Sequence, residues 1–215
     1  MATVGIIGTG NMGSQIARKS IEAGHDVVLA NSQGPHSLSD LVAQLGPMAR
    51  AGTVEETALA GHFVVVTIPI NAYGSLPVDP FAGKIVIDTG NYYPDWNGRI
   101  PDLDAETTTT SELLQAHLPS SRVVKALNNL AAVDLVGDAQ PAGTPGRRAL
   151  VVSGDDQAAK DEVASLIDAF GFDVVDAGPL AEGWRYQRDL PAYGVRRTAG
   201  EMRHALAAAV RYQAM

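Results

Sequence analysis

Gly8-Thr9-Gly10-Asn11-Met12-Gly13 lies between an apolar run, Thr3–Ile7, and a segment of helical periodicity, Met12–Ala23. The G-x-G-x-x-G spacing is weak on its own, but between a strand and a helix at the start of a chain it is demanding. Gly8 permits a tight turn, Gly10 lets a pyrophosphate approach the backbone, and Gly13 lets the helix pack closely on the strand. The N–H groups of Gly10, Asn11 and Met12 then point from a helix N-terminus toward a phosphate, with Thr9 in the turn between. The motif points to a dinucleotide-binding strand–turn–helix unit.

The rest of the chain repeats that rhythm. Apolar, β-rich runs at Asp26–Ala30, Phe63–Ile68, Lys84–Asp88 and Arg122–Lys125 alternate with helical patterns at Ser37–Leu45, Val54–Leu59 and Ser111–His117. Near-continuous apolar strands separated by helices describe a parallel sheet covered on both faces. Gly24 stands where a helix C′ glycine belongs, and Thr53 ahead of Val-Glu-Glu reads as an N-cap. Pro69 and Pro119 mark element boundaries. Asp138–Arg148, rich in Gly, Pro and Ala, reads as an exposed loop. A strand (Ala149–Ser153), a helix (Asp156–Phe170) and a strand (Asp173–Val175) follow and extend the same sheet. Gly194–Ala214 has helical composition. The expected fold is α/β: a Rossmann-type doubly wound parallel sheet with a small C-terminal helical part, residues 1–135 forming the dinucleotide-binding domain and 136–215 a C-terminal extension.

The end of the second strand selects the dinucleotide. An Asp or Glu there would receive a free ribose 2′-OH. Asn31-Ser32-Gln33-Gly34-Pro35-His36-Ser37 contains no acid, and Asp26 is at the strand's other end. Small polar side chains and backbone N–H groups suit a 2′-phosphate, with His36 assisting, so the reading is NADP(H). Ile68 and Pro69 are expected to wall the nicotinamide, with Asn71 opening the next helix. Asp88 reads as a loop-capping carboxylate.

Composition excludes several other chemistries. The 215 residues include no cysteine, which removes disulfides, thiolate metal sites and thiol nucleophiles. The histidines do not cluster, so no metal is expected. A net charge of −8 argues against nucleic acid as a partner. No apolar run is long enough for a membrane helix, and no basic stretch precedes the first apolar run, so a cytoplasmic protein is expected. Charge is uneven, however. From Glu182 onward six arginines (Arg185, Arg188, Arg196, Arg197, Arg203, Arg211) outnumber three acids (Glu182, Asp189, Glu201).

The glycine motif, Asn31-Ser32-Gln33-Gly34-Pro35, Lys84-Ile85-Val86-Ile87-Asp88 and Val124-Lys125-Ala126-Leu127-Asn128 together resemble the NADPH-dependent reductases of the deazaflavin coenzyme F-420. The likeness covers most of the chain, including Pro191-Ala192-Tyr193-Gly194. It implies a Rossmann domain with NADP(H) across the strand ends and a deazaflavin stacked over the nicotinamide. By that likeness Thr9, Gly10, Asn11 and Met12 hold the pyrophosphate, Ser32 and Gln33 the 2′-phosphate, and Ile68, Pro69, Ala126 and Asn128 surround the nicotinamide. The C-terminal extension completes the acceptor site with Arg188, Pro191 and Tyr193. The resemblance also implies a homodimer, with Met202, Leu206, Val210 and Tyr212 as candidate contacts unless that helix packs on its own sheet. Three departures stand out: Gln33 where an arginine is usual, Leu127-Asn128-Asn129 for Phe-Asn-Thr, and Arg188–Pro191 for Pro-Gly-Thr-Pro.

Hydride transfer between stacked rings requires positioning more than acid–base groups, so no catalytic side chain is expected. The anionic tail of a deazaflavin would be drawn by Arg185, Arg188 or Arg196. Trp184, Tyr186 and Tyr193 pack either on a flat ring or as core or dimer contacts. Two other functions fit the same residues: NADPH-dependent reduction of a flavin or a small carbonyl or imine, and non-catalytic sensing of NADP(H).

Overall fold

The computed structural model describes residues 2–211. In chain order the elements are β1 (Thr3–Ile7), α1 (Asn11–Glu22), β2 (Asp26–Ala30), α2 (Ser39–Leu45), β3 (Ala49–Ala51), α3 (Val54–Ala60), β4 (Phe63–Val66) and β5 (Ile85–Asp88). Then come the short turns α4 (Pro94–Asn97) and α5 (Pro101–Asp104), α6 (Thr110–His117), β6 (Arg122–Lys125) and α7 (Asp134–Gly137). β7 (Ala149–Gly154), α8 (Gln157–Phe170), β8 (Asp173–Asp176) and α9 (Ala199–Ala207) complete the series.

One sheet runs in the order β3-β2-β1-β4-β5-β6-β7-β8. The first six strands are parallel, and the order reverses direction at β1 and β4. That switch point places the glycine turn, at the C-terminal end of β1, beside Thr67–Pro69 at the end of β4, where open α/β sheets bind ligands. One apolar core joins β1, β2 and β6 to α1 and α8 through Ile6, Ile16, Leu29 and Ile167. The opposite face buries Val64, Val66, Val86, Phe81 and Leu114. Burial on both faces explains why β4 and β5 are apolar almost throughout.

The predicted caps are present. Thr53 forms a capping box with Glu56, and Gly24 follows α1 with φ of 82°.

Four features differ from the sequence expectations. First, β7 is antiparallel to β6, and β8 is parallel to β7, so the sheet is not parallel throughout. Between β6 and β7 the only described α-helix is the single turn α7, too short to carry the chain back across the sheet for a parallel crossover. Second, the exposed loop expected over Asp138–Arg148 ends in two buried arginines. Arg147 bonds Asp168 and Asp173, and Arg148 bonds Asp134 and Asp138. Third, the C-terminal helix is shorter than Gly194–Ala214. It begins at a Thr198–Glu201 capping box and ends at Ala207. Fourth, Met202 and Leu206 are buried on this chain's own β7 and β8 with Val151 and Val175, so they are not free for a second copy. Val210 is exposed, and Tyr212 lies outside the described residues. No described helix is long and apolar enough to cross a membrane.

Candidate functional site

The three motif glycines have three different surroundings. A Cβ on Gly8, whose φ is 101°, would collide with the Thr67 carbonyl, and one on Gly13 would collide with the Gly8 carbonyl. Those two positions are closed by the protein itself. Around Gly10 no atom of the described residues lies within 4 Å of where a Cβ would stand. Gly10 is also the N-cap of α1, and neither a side-chain cap nor a first-turn acid occupies that helix end. The open cradle at Gly10, with uncapped N–H groups behind it, matches the size and charge of a pyrophosphate.

A cavity of about 620 Å³ opens from this turn, lined by Gly8, Thr9, Gly10, Asn31, Ser32 and Gln33 on one side and by Thr67–Pro69, Ala72 and Leu76 on the other. Its far end is shaped by an Asn31-centred turn. Asn31 Oδ1 accepts from the Gln33 N–H at 3.0 Å, and Asn31 Nδ2 donates to Ser37 at 2.8 Å. Gly34, with φ of 86°, lets the chain turn there, leaving Ser32 and Gln33 exposed. No carboxylate lines this cavity.

A second cavity, about 430 Å³, shares Thr67, Ile68 and Pro69 with the first. It is bounded by Met12, Thr89–Asn91, Leu127, Asn128, Tyr93, Trp96 and Tyr193. Asn91 and Asn128 bridge the ends of β5 and β6 reciprocally. Asn91 Nδ2 donates to the Asn128 carbonyl at 2.9 Å and Asn128 Nδ2 donates to Asn91 Oδ1 at 3.1 Å. Asn128 also donates to the Tyr186 carbonyl, while its own Oδ1 is buried and has no hydrogen-bond partner among the described residues. A buried acceptor left unpaired is costly, and an amide N–H donor from a ligand would satisfy it. Leu127, just before it, holds φ of 57°, a conformation rare for a branched side chain and common at ligand sites.

Two aromatic residues close the outer wall. The hydroxyls of Tyr93 and Tyr193 are 2.5 Å apart, joining the segment after β5 to the C-terminal part of the chain. Tyr93 stacks on Trp96, which is 79% exposed. Burial and the neighbouring Tyr93 raise the ionisation of the Tyr193 hydroxyl well above its ordinary range. Arg188 lies over the Tyr93 ring at 5.2 Å and pairs with Asp189 at 2.9 Å. It borders a third cleft of about 350 Å³ in which two arginines, Arg99 and Arg188, face Asp95, Asp104, Glu106 and Asp189.

The expected site residues therefore separate. Gly8, Thr9, Gly10, Asn31, Ser32, Gln33, Ile68 and Pro69 meet around the first cavity, and Met12, Ile68, Pro69, Asn128 and Tyr193 around the second. Asn11 is exposed at the start of α1, and Gly13 is the helix–strand contact. His36 and Asn71 are exposed outside both linings, Ala126 is fully buried beneath the site, and Pro191 is exposed outside the linings. Of the tail, Arg185 pairs with Glu182 and lies over Trp184, and Arg196 bonds Gln140 and Gly146. Both serve the fold. Tyr186 is fully buried and belongs to the core, so it cannot stack on a ligand ring.

The sequence reading passed over Asn91, Tyr93 and Trp96. A cluster of aromatics after a strand end, Tyr92-Tyr93-Pro94-Asp95-Trp96, was the available signal.

Fold and cleft define a Rossmann-type dinucleotide-binding protein. Residues 3–92 match the family described as NADP oxidoreductase, coenzyme F420-dependent. The solved structure of the hypothetical protein SMa0349 from Sinorhizobium meliloti is 31% identical, with a TM-score of 0.75 over 91% of this chain and 95% of that one. A candidate F420-dependent NADP reductase from Arthrobacter sp. FB24 is 28% identical, with a TM-score of 0.71 over 83% of this chain and 85% of that one. Metalloreductase STEAP3 of Rattus norvegicus is 30% identical over 180 residues, which span 83% of this chain but 34% of that relative. Over residues 3–92 this chain is similar to the coenzyme F420-dependent NADP oxidoreductase family, and its likeness to the two solved structures extends over most of its length.

Proposed function

We propose that this chain transfers a hydride between NADP(H) and a flat-ring acceptor, a deazaflavin such as coenzyme F-420. The observation that carries the reading is the continuity of the two cavities through Thr67–Pro69. The first has phosphate donors and no carboxylate; the second is walled by aromatic and amide groups. When bound, the dinucleotide supplies the hydride from its dihydronicotinamide ring.

The protein's part is placement. The N-terminus of α1 and the open face of Gly10 hold the pyrophosphate, and Ser32 and Gln33 receive the 2′-phosphate. Ile68 and Pro69 form one face of the ring slot, and the unpaired Asn128 Oδ1 accepts from a carboxamide N–H. Tyr93, Trp96 and Tyr193 receive the second ring and exclude water from the gap between donor and acceptor. Residues 136–215 complete the acceptor side through Arg188 and Tyr193.

A second reading is favoured by one observation. The third cleft holds four carboxylates against two arginines, which disfavours an anionic acceptor tail and favours a small cationic iminium substrate.

The deciding experiment measures NADPH and NADH binding by fluorescence, then NADPH oxidation with a deazaflavin, with free flavins and with a carbonyl and imine panel. Turnover with deazaflavin supports the first reading, and turnover confined to imines supports the second. Binding without turnover on any acceptor points to a sensor.

Two substitutions sharpen the result. Gln33→Arg adds a charged donor at the exposed 2′-phosphate position. NADPH affinity rises about fivefold, roughly 1 kcal/mol for a solvent-screened charge-assisted bond, while NADH affinity is unchanged. Equal gains for both nucleotides would remove the 2′-phosphate assignment. Arg188→Ala raises KM for a deazaflavin several-fold at low salt and leaves NADPH Kd alone. An unchanged KM would remove Arg188 from the acceptor site.

A further inference from the structure

Two charged residues are buried immediately behind the second cavity. Asp88 is 0% exposed and Lys125 is 1% exposed, and they are direct register partners at the ends of β5 and β6. The strand residues before them are apolar: Ile85, Val86 and Ile87 on β5, Val123 and Val124 on β6. Desolvating two charges costs several kcal/mol each, and apolar residues hold such strand positions at least as well. Fold stability alone does not account for the pair.

Their bonds converge on one peptide. Asp88 Oδ1 accepts from the Gly90 N–H at 2.8 Å, and Lys125 Nζ donates to the Gly90 carbonyl at 2.7 Å. Both polar groups of Gly90, in the wall of the second cavity, are thus held by a buried charge. Asp88 is fixed in turn by the Tyr73 hydroxyl at 2.6 Å and the Ser111 hydroxyl at 2.5 Å, and it faces the N-terminal turn of α6. Lys125 also donates to Thr110 at 2.9 Å, and its ammonium is 3.9 Å from Asp88 Oδ2. No side chain larger than hydrogen fits at residue 90, because a Cβ there would strike the Tyr73 hydroxyl. Gly183 clears space for the Lys125 stem in the same way. Asn91, next in the chain, carries this fixed geometry to Asn128 through their reciprocal bonds.

We infer that Asp88 and Lys125 are positioning residues: by clamping the Gly90 peptide they set the wall against which the dihydronicotinamide ring is aligned. The inference rests on the NADP(H) reading of the cleft. The pair does not touch the reacting atoms. It acts through Gly90, Asn91 and Asn128, and it leaves the phosphate-binding end untouched.

The test is the double variant Asp88→Asn with Lys125→Met. It removes both charges together, keeps an acceptor for the Gly90 N–H, and fills the lysine channel with a flexible apolar chain. The probes are NADPH and 2′,5′-ADP. The expected result is 2′,5′-ADP affinity within twofold of wild type and NADPH affinity within threefold. The emission lifetime of the bound dihydronicotinamide shortens at least twofold as the ring gains freedom. With an acceptor that turns over, kcat falls at least tenfold at unchanged KM. An unchanged lifetime overturns the inference while the cofactor reading stands. Failure of the wild type to bind NADPH overturns both.

If the double variant does not fold, Tyr73→Phe replaces it. That change removes one bond to Asp88 and leaves both charges in place. A shorter lifetime with unchanged 2′,5′-ADP affinity supports the clamp, and wild-type values for both overturn it.

Discussion

Gly10→Val folds and does not bind NADPH. Thermal unfolding reports a stability within about 1 kcal/mol of wild type, since the cost is a changed N-cap on an exposed residue. Fluorescence titration reports an NADPH Kd raised at least ~100-fold, the equivalent of losing two charge-assisted bonds to the pyrophosphate. The separation follows from geometry. None of the described residues lies within 4 Å of a Cβ at Gly10, and its φ of −71° is open to any residue. The only group a valine there obstructs is one that enters from outside. Gly13→Val is the control with the opposite pattern. Its Cβ meets the Gly8 carbonyl, so α1 must lift off β1, and stability falls by about 1–3 kcal/mol from overpacking before any ligand is considered. If Gly10→Val retained NADPH affinity, the turn would be a structural glycine turn and the phosphate assignment would fail.

The contrast between those glycines shows what was legible in the sequence. The motif named the turn, the helix start and the strand, because each rests on local sterics and hydrogen bonding. The same locality made Thr53, Gly24 and the absent acid after β2 readable. β3 was not readable: Ala49-Arg50-Ala51 is three residues long, at the sheet edge, with no β-branched side chain. The reversal at β7 was hidden for another reason, since strand direction depends on the path of the connection and not on the strand's own residues. The arginines were misread because charge count carries no partner list. Arg185 and Arg196 belong to a basic region in sequence, yet each meets a carboxylate or carbonyl brought from 3 to 56 residues away. Asp88 was read as a loop cap and does bond the Gly90 N–H, but its partners Tyr73, Ser111 and Lys125 come together only through the sheet register. The second cavity was legible on its strand-end side and obscure on its aromatic side, where Tyr93 and Tyr193 are 100 residues apart.

Arg148→Ala lowers stability by about 3 kcal/mol, the scale of a large buried truncation, and Tm by ~6–12 °C for a chain of this size. Arg148 is among the largest fully buried side chains. It reaches Asp138 at 2.7 Å and Asp134 at 3.0 Å, tying α7 to the start of β7. Leu135 of α7 shares a core with Ile16 of α1, so the loss is felt next to the phosphate-binding helix. Arg148→Met separates packing from pairing. Both aspartates are about one-third exposed and can be rehydrated, while Nε and Nη2 of Arg148 are already buried without hydrogen-bond partners among the described residues. Methionine fills most of the volume and removes that desolvation, so its cost stays below about 1 kcal/mol. Chemical denaturation of the three proteins decides between the terms. A methionine variant as unstable as the alanine one would mean the ion pairs, and not the filled space, hold α7. In either case NADPH Kd stays within threefold of wild type, because α1 keeps its contacts with β1 and β2 and its N-terminus stays where Gly8 and Gly13 set it.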